Sequence, residues 1–323
     1  MRTYIKNYLQ EIQEHLHLSP ETENKVLQEM YVHLKEKTAE LRRQGRQESD
    51  AEKEAVRAFG KARSVARLTY EAFSQGSTID GLISFVPHLV VSLVFATHIW
   101  HLPVVHGIVF SLLLITTLYG WRRGEPNWLF SWVGYPLFPL FLIGYLSRSV
   151  WAETIQHCMG MEVALPPWWH ILTVTIFYVF GLYIIISTTI KVLKRDWIFA
   201  SLMLVPLPLL GTWVVNIDQT GVLYNNYFPM AHQWDMAMSW VFLFLGVTAF
   251  LFVRLRQRIL KGGSVITIGM ISGAILVHRF WGKGGFVGIL VVSLVLLLCL
   301  VTPALLGQRL KHDKKKIAFQ NFD

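Results

Sequence analysis

Residues 81–100 read GLISFVPHLVVSLVFATHIW, a run with no Asp, Glu, Lys or Arg in it. A transmembrane helix needs about 20 predominantly apolar residues, so this stretch alone is long enough to cross a bilayer. Working outward, hydropathy places one span at 82–100 and others at 104–121, 128–146, 168–190, 197–217, 236–253, 264–277 and 286–306. The seventh is short and glycine-rich. The expected fold is all-α: a small four-helix cytoplasmic domain over residues 1–76, then a transmembrane helix bundle of about eight spans over 79–307. A basic cytoplasmic tail, 308–323, ends the chain.

Charge supports this division. Hydrophobic residues make up 53 % of the chain and charged ones only 16 %, against roughly 25 % charged in soluble domains. Residues 1–78 nevertheless hold 13 of the 30 basic and 12 of the 21 acidic side chains, so this segment is soluble and nearly neutral. In the remainder, 14 basic residues fall in alternate connections: Arg122 and Arg123, then Lys191, Lys194 and Arg195, then Arg254, Arg256, Arg258 and Lys261, then the cluster from Arg309 to Lys316. The other connections have only Arg148, Arg279 and Lys283. Short cytoplasmic loops carry the excess of Lys and Arg, so a multi-pass cell-membrane protein with both termini in the cytoplasm is expected. The same pattern explains the net charge better than nucleic-acid binding does. Two cysteines, Cys158 in a loop and Cys299 in the last apolar run, indicate neither a disulfide framework nor a thiolate metal site.

In the amino-terminal segment, Ile5, Leu9, Ile12 and Leu16 recur at helical spacing. Ser19 before Pro20 signals a second helix, with Leu27, Met30, Leu34 and Leu41 on one stripe and Gly45 as its stop. Ser49-Asp50-Ala51-Glu52 reads as a capping box for a third helix, which presents Ala55, Val56 and Phe59 and stops at Gly60. Val65, Leu68, Ala72 and Phe73 mark a fourth. No catalytic set is present there, which suits a docking surface better than an enzyme.

These residues resemble a family. Glu29-x-x-x-His33-Leu34-x-Glu36, Gly45, and Ala51-Glu52-x-x-Ala55-x-x-x-Phe59-Gly60 are similar to the HAAS, or permease-prefix, signalling domain of bacterial membrane proteins. The resemblance covers residues 3–73, and Ala62 departs from it where a proline is expected. It implies a small cytoplasmic domain preceding unrelated membrane domains, with a cytosolic protein partner of the PadR-type helix-turn-helix class.

Histidine concentrates on the predicted outer side: His98, His101, His106, His157, His170, His232 and His278, with Glu153, Glu162, Asp218 and Asp235 nearby in topology. His98 and His101 have the spacing of one helical face, and His106 begins the next span after a tight turn, so these three are the candidate metal ligands. Imidazoles and carboxylates suit a divalent metal, haem iron or a proton; interfacial histidine on a wet face is the simpler alternative. His88 lies inside the first span, where an ionisable group is costly and a functional candidate. Tryptophans at the span ends read as an interfacial belt, and Pro136, Pro139, Pro206 and Pro208 as sites where a span bends.

The chain contains no Walker lysine loop, Gly-x-Ser-x-Gly elbow, dinucleotide fingerprint or His-Glu-x-x-His helix. A sensor or regulatory membrane protein is the leading expectation, relaying a membrane or envelope signal to a cytosolic partner. A transporter and an outward-facing metal or haem site are the alternatives.

Overall fold

The computed structural model describes residues 4–16, 18, 20–124, 126–219 and 228–280, with positions 294 and 302. Every regular element among the described residues is helical, and the chain divides into two compact units. The expected eighth span apart from positions 294 and 302, together with Ser19, His17, Cys299 and the basic tail, lies outside the described residues.

The first unit comprises Met1–Gly76 together with Arg254–Lys261. Its helices are α1 (Tyr4–His15), α2 (Pro20–Arg43), α3 (Glu48–Phe59) and α4 (Ala62–Phe73). Ile5, Leu9, Ile12, Leu27, Leu34 and Leu41 are buried in one core, as their spacing predicts. Gly45 has φ 88, Arg46 N donates to Leu41 O at 3.2 Å and Gly45 N to Arg42 O at 3.0 Å. That left-handed turn ends α2 and satisfies its last carbonyls.

Three expectations change. α3 starts at Glu48, and its N-cap, Gln47, makes no side-chain cap bond, so Ser49 caps nothing. Glu52 is instead buried and accepts a hydrogen bond from Tyr4 N, 3.2 Å away, which satisfies a free backbone donor of the first turn of α1. The buried stripe of α4 is Ala62, Ala66 and Tyr70, while Leu68 and Phe73 are exposed. Small residues face inward because α4 packs closely on α1. Phe59 is only partly buried, its ring standing edge-on to Tyr8 at 6.3 Å.

Tyr8 bridges α1 to the end of α3 by donating to Gly60 O at 2.9 Å. Burial first, and the charge of Glu11 second, push its hydroxyl above the ordinary 10.0. The folded state thus holds that proton more tightly than the unfolded chain, so the contribution is full below about pH 10 and lost as pH rises further. Tyr8→Phe should cost about 0.5–1.5 kcal/mol at neutral pH and flatten the alkaline loss. Urea unfolding at about pH 8 and pH 10.5 reads both effects, and an unchanged alkaline limb would refute the assignment.

The segment Arg254–Lys261 closes the far end of the same unit. Lys261 is buried and donates to Ser74 O at 2.8 Å, with its ammonium 5.6 Å from the Tyr70 ring centre. Ser74 Oγ donates to Arg256 O at 3.1 Å, and Arg254 to Gly76 O at 3.2 Å. Arg254 and Lys261 thus donate to carbonyls that follow α4, while Arg256 accepts from Ser74 through its own carbonyl.

The second unit begins at Ser77, whose hydroxyl accepts from Asp80 N while Asp80 accepts from Ser77 N, a capping box for α5 (Thr78–Ala96). α6 (Pro103–Arg122), α7 (Phe130–Leu146), α8 (Arg148–Cys158), α9 (Trp168–Arg195), α10 (Trp197–Leu204), α11 (Pro206–Gln219), α12 (Phe228–Arg254) and α13 (Arg258–Phe280) follow. Seven stretches among the described residues are long and apolar enough to cross a membrane, matching the first seven predicted spans, and the chain is a multi-pass membrane protein. The seventh is longer than its hydropathy suggests, Arg258–Ile275, and Cys158 ends a helix instead of lying in a loop.

α7 is the hub, in contact with α5, α6, α9, α10 and α11. Its Gly134 approaches so closely that a β-carbon there would lie 2.1 Å from Met203 O. The fifth span breaks at Val205, between α10 and α11. Pro206 and Pro208 have no N–H, so the carbonyls of Leu202 and Leu204 lose their helical donors there. α6 and α9 are peripheral, with Val104, Ile108, Ile115, Ile176, Val179 and Phe180 exposed as lipid-facing surface. Trp168 and Trp169 are exposed as a belt requires, whereas Trp100, Trp128 and Trp234 turn inward and are buried.

Candidate functional site

α5 carries Ser84, His88 and Ser92 at intervals of four, so all three share one face, and all three are buried. Ser84 Oγ reaches Ser131 Oγ at 3.0 Å and Ala249 O at 3.3 Å. His88 Nδ1 is hydrogen-bonded to the Tyr135 hydroxyl. Ser92 Oγ donates to Ser239 O at 2.8 Å. Gly246 admits this packing: a β-carbon there would meet the Phe85 ring at 2.8 Å and His88 Cβ at 3.1 Å. Interhelical hydrogen bonds in membranes average only about 0.6 kcal/mol each, so the stripe's main effect is to fix the register of α5 against α7 and α12. Sequence reasoning found His88 but missed the two serines, although their spacing was visible.

The stripe leads to a second cluster beyond the end of α5. His98 follows the helix in a left-handed conformation, φ 57 and ψ 21, and is the one non-glycine with positive φ among the described residues. That turn, followed by the short 3-10 segment Ile99–His101, swings the His98 ring toward α12. There His98 Nδ1 lies 2.8 Å from Asp235 Oδ2, and the two imidazoles of His98 and His232 stack with centroids 4.2 Å apart. Trp100 Nε1 donates to the same Asp235 oxygen at 2.7 Å. Trp100 in turn stands edge-on to Trp213 at 4.8 Å, and Phe95 to Trp213 at 5.0 Å, giving the cluster an aromatic floor.

Asp235 is completely buried, while the His98 side chain is 37 % exposed and forms the opening. Two polar atoms of the cluster, Asp235 Oδ1 and His232 Nε2, are buried without a hydrogen-bond partner among the described residues. Leaving a buried polar atom unpaired costs about 1–3 kcal/mol, more for a charged group. One ligand atom each from His98, His232 and Asp235 lies within 4.8 Å of the other two, the arrangement of a three-ligand cation site.

The three expected ligands are therefore not gathered together. His98 belongs to the cluster, but His101 turns back to bond His98 O through Nδ1 at 2.8 Å, and His106 is exposed on the first turn of α6. The helix ends at Ala96, so the three-residue spacing of His98 and His101 does not give a shared helical face. The other two members come from α12, more than a hundred residues away, and no local spacing announces them. His157 Nδ1 is bonded to Val163 O, His170 stacks on Trp169, and Asp218 pairs with Arg148 and accepts from Tyr145. The His278 side chain lies outside the described residues. A haem between His98 and His232 does not fit, because rings stacked at 4.2 Å leave no room for a macrocycle.

Comparison of the chain with protein-family models, with curated proteins and with solved structures returns no match.

Proposed function

We propose that this is a membrane-integrated regulatory protein that relays the state of its His–Asp cluster to the amino-terminal unit, which presents it to a cytosolic protein. The observation that carries this reading is α12. Its first turns hold His232 and Asp235, and its last residue, Arg254, is where the chain enters the amino-terminal unit. Asp235 and Arg254 are 19 residues apart, about 29 Å along one uninterrupted helix. α12 is thus a continuous element by which the chain passes from the cluster to the amino-terminal unit. Within that unit, the Arg254–Gly76 and Lys261–Ser74 hydrogen bonds tie the segment to the end of α4. The resemblance of residues 3–73 to HAAS domains supports a partner of the PadR type.

The test is co-purification of the full-length protein from native membranes. A small helix-turn-helix regulator should be retained by the wild type, and its retention should change several-fold when Arg254→Ala and Lys261→Met remove the two donors. Absence of any such regulator, or identical retention by the variants, would overturn the reading.

The relay also requires the amino-terminal unit in the cytoplasm, as the 14-to-3 basic asymmetry indicates. Single cysteines at Gln156 should label from outside intact cells, and those at Gly124 and Gln257 only after lysis. Reversed access at these positions would place the unit on the wrong side. The broken fifth span favours a second reading, a transporter, since discontinuous helices line many substrate sites. Substrate flux in proteoliposomes would select it.

A further inference from the structure

The geometry points to His98, His232 and Asp235 as a binding site for a divalent first-row transition metal, zinc or a close relative, with one coordination position left open. This names the ligand of the cluster on which the proposed relay rests.

Asp235 is fully buried, and both donors that reach it, His98 Nδ1 and Trp100 Nε1, converge on Oδ2. Among the described residues, Asp235 Oδ1 and His232 Nε2 are both buried and have no hydrogen-bond partner. A bare carboxylate oxygen and an unpartnered imidazole nitrogen in one buried cluster are complementary to a cation, and a metal would complete both. Trp100 then acts as the outer partner that orients the carboxylate, as second-sphere donors do in metal sites.

The donor set decides the class of metal. Calcium and magnesium take six or more oxygen ligands, whereas this site supplies two imidazoles and one carboxylate. Without a thiolate or thioether among the ligands, copper(I) and iron–sulfur chemistry are not matched. Two histidines and one carboxylate suit zinc with a fourth position for water, or a related divalent ion. The ligand atoms, now within 4.8 Å of one another, would close to the ~3.3 Å separation that metal bonds of about 2.0–2.2 Å in tetrahedral geometry impose. The 2.8 Å separation of His98 Nδ1 from Asp235 Oδ2 is that of a hydrogen bond. If Nδ1 is the ligand, the metal replaces that proton; if Nε2 is, the hydrogen bond remains and orients the ring. The exposed edge of His98 provides the route in.

The test uses the full chain in detergent, stripped with chelator and titrated with Zn²⁺ by calorimetry and with Co²⁺ by visible absorption. The expected result is one Zn²⁺ per chain and intense Co²⁺ bands of four-coordinate geometry. His232→Ala should weaken binding at least tenfold. His98→Asn should do the same while keeping the fold, since asparagine tolerates the left-handed backbone at that position. His101→Ala and His106→Ala should bind as the wild type does. Binding that survives both His98→Asn and His232→Ala, or no binding by a wild type that elutes as a single folded species, would make the cluster a hydrogen-bonded clamp only. A regulator that co-purifies without metal binding would overturn this inference and leave the relay standing. Metal binding without any regulator would do the reverse.

Discussion

Gly134→Ala should destabilise the membrane unit by about 3 kcal/mol or more, the upper end of the penalty for overpacking, and lower the unfolding midpoint by roughly 10 °C. The added β-carbon would lie 2.1 Å from the Met203 carbonyl oxygen and 3.3 Å from its carbon. Both are backbone atoms, and Met203 is fully buried two residues before the break at Val205. Relief therefore requires α7 and α10 to separate. Gly246→Ala should cost less, because its closest neighbours are ring atoms of Phe85, which can rotate aside. Gly262→Ala and Gly263→Ala meet nothing within 4 Å and should be neutral or slightly stabilising within their helix. Thermal melts of the four variants in detergent give the ranking, and a wild-type melt for Gly134→Ala would show that the two helices do not approach at that point.

Leu34→Ala should cost the amino-terminal unit about 2–5 kcal/mol, the range for truncating a buried leucine. Leu34 is 0 % exposed at the centre of the core formed by α1, α2, α3 and α4. Leu68→Ala, at a position 59 % exposed, should change stability by no more than about 0.5 kcal/mol. Urea unfolding of a fragment covering residues 1–76 makes the comparison. That fragment lacks Lys261 in wild type and variants alike, and Lys261 lies over Tyr70, which is buried with Leu16, Leu18 and Val26. The comparison of Leu34 with Leu68 is therefore made within one fragment background. Random-coil circular dichroism, or equal effects at both leucines, would contradict the four-helix core.

The contrast between Leu34 and Leu68 shows how legibility varied. Where a helix buries large residues, hydrophobic period and core coincide, as along α1 and α2. α4 packs closely through Ala62, Ala66 and Tyr70, and alanine carries too little hydropathy to outvote the exposed Leu68 and Phe73. Similarly, Ser49 has the composition of a cap, yet the backbone enters α3 two residues earlier, with Gln47 at the cap position, and Glu52 is drawn to α1 instead. In each case a tertiary contact overrode a local signal.

By itself, the sequence determined the helical class, the first seven spans and the turn at Gly45. Each follows from a local property, whether transfer of apolar side chains or backbone freedom at glycine. Of the four prolines expected to bend a span, it did not tell Pro206 and Pro208, where the fifth span breaks, from Pro136 and Pro139, which lie inside α7. Only the tertiary structure decided that α7 is the hub, that Trp100 turns inward, that Arg254–Lys261 belongs with the amino-terminal unit, and that His98 meets His232 and Asp235 while His101 and His106 do not. Those facts depend on pairings between residues far apart in the chain. In the membrane unit nearly every face is apolar, so hydrophobic pattern alone cannot select which helices touch. Close approach at Gly134 and Gly246, and the few buried hydrogen bonds of Ser84, His88, Ser92 and Asp235, make that selection.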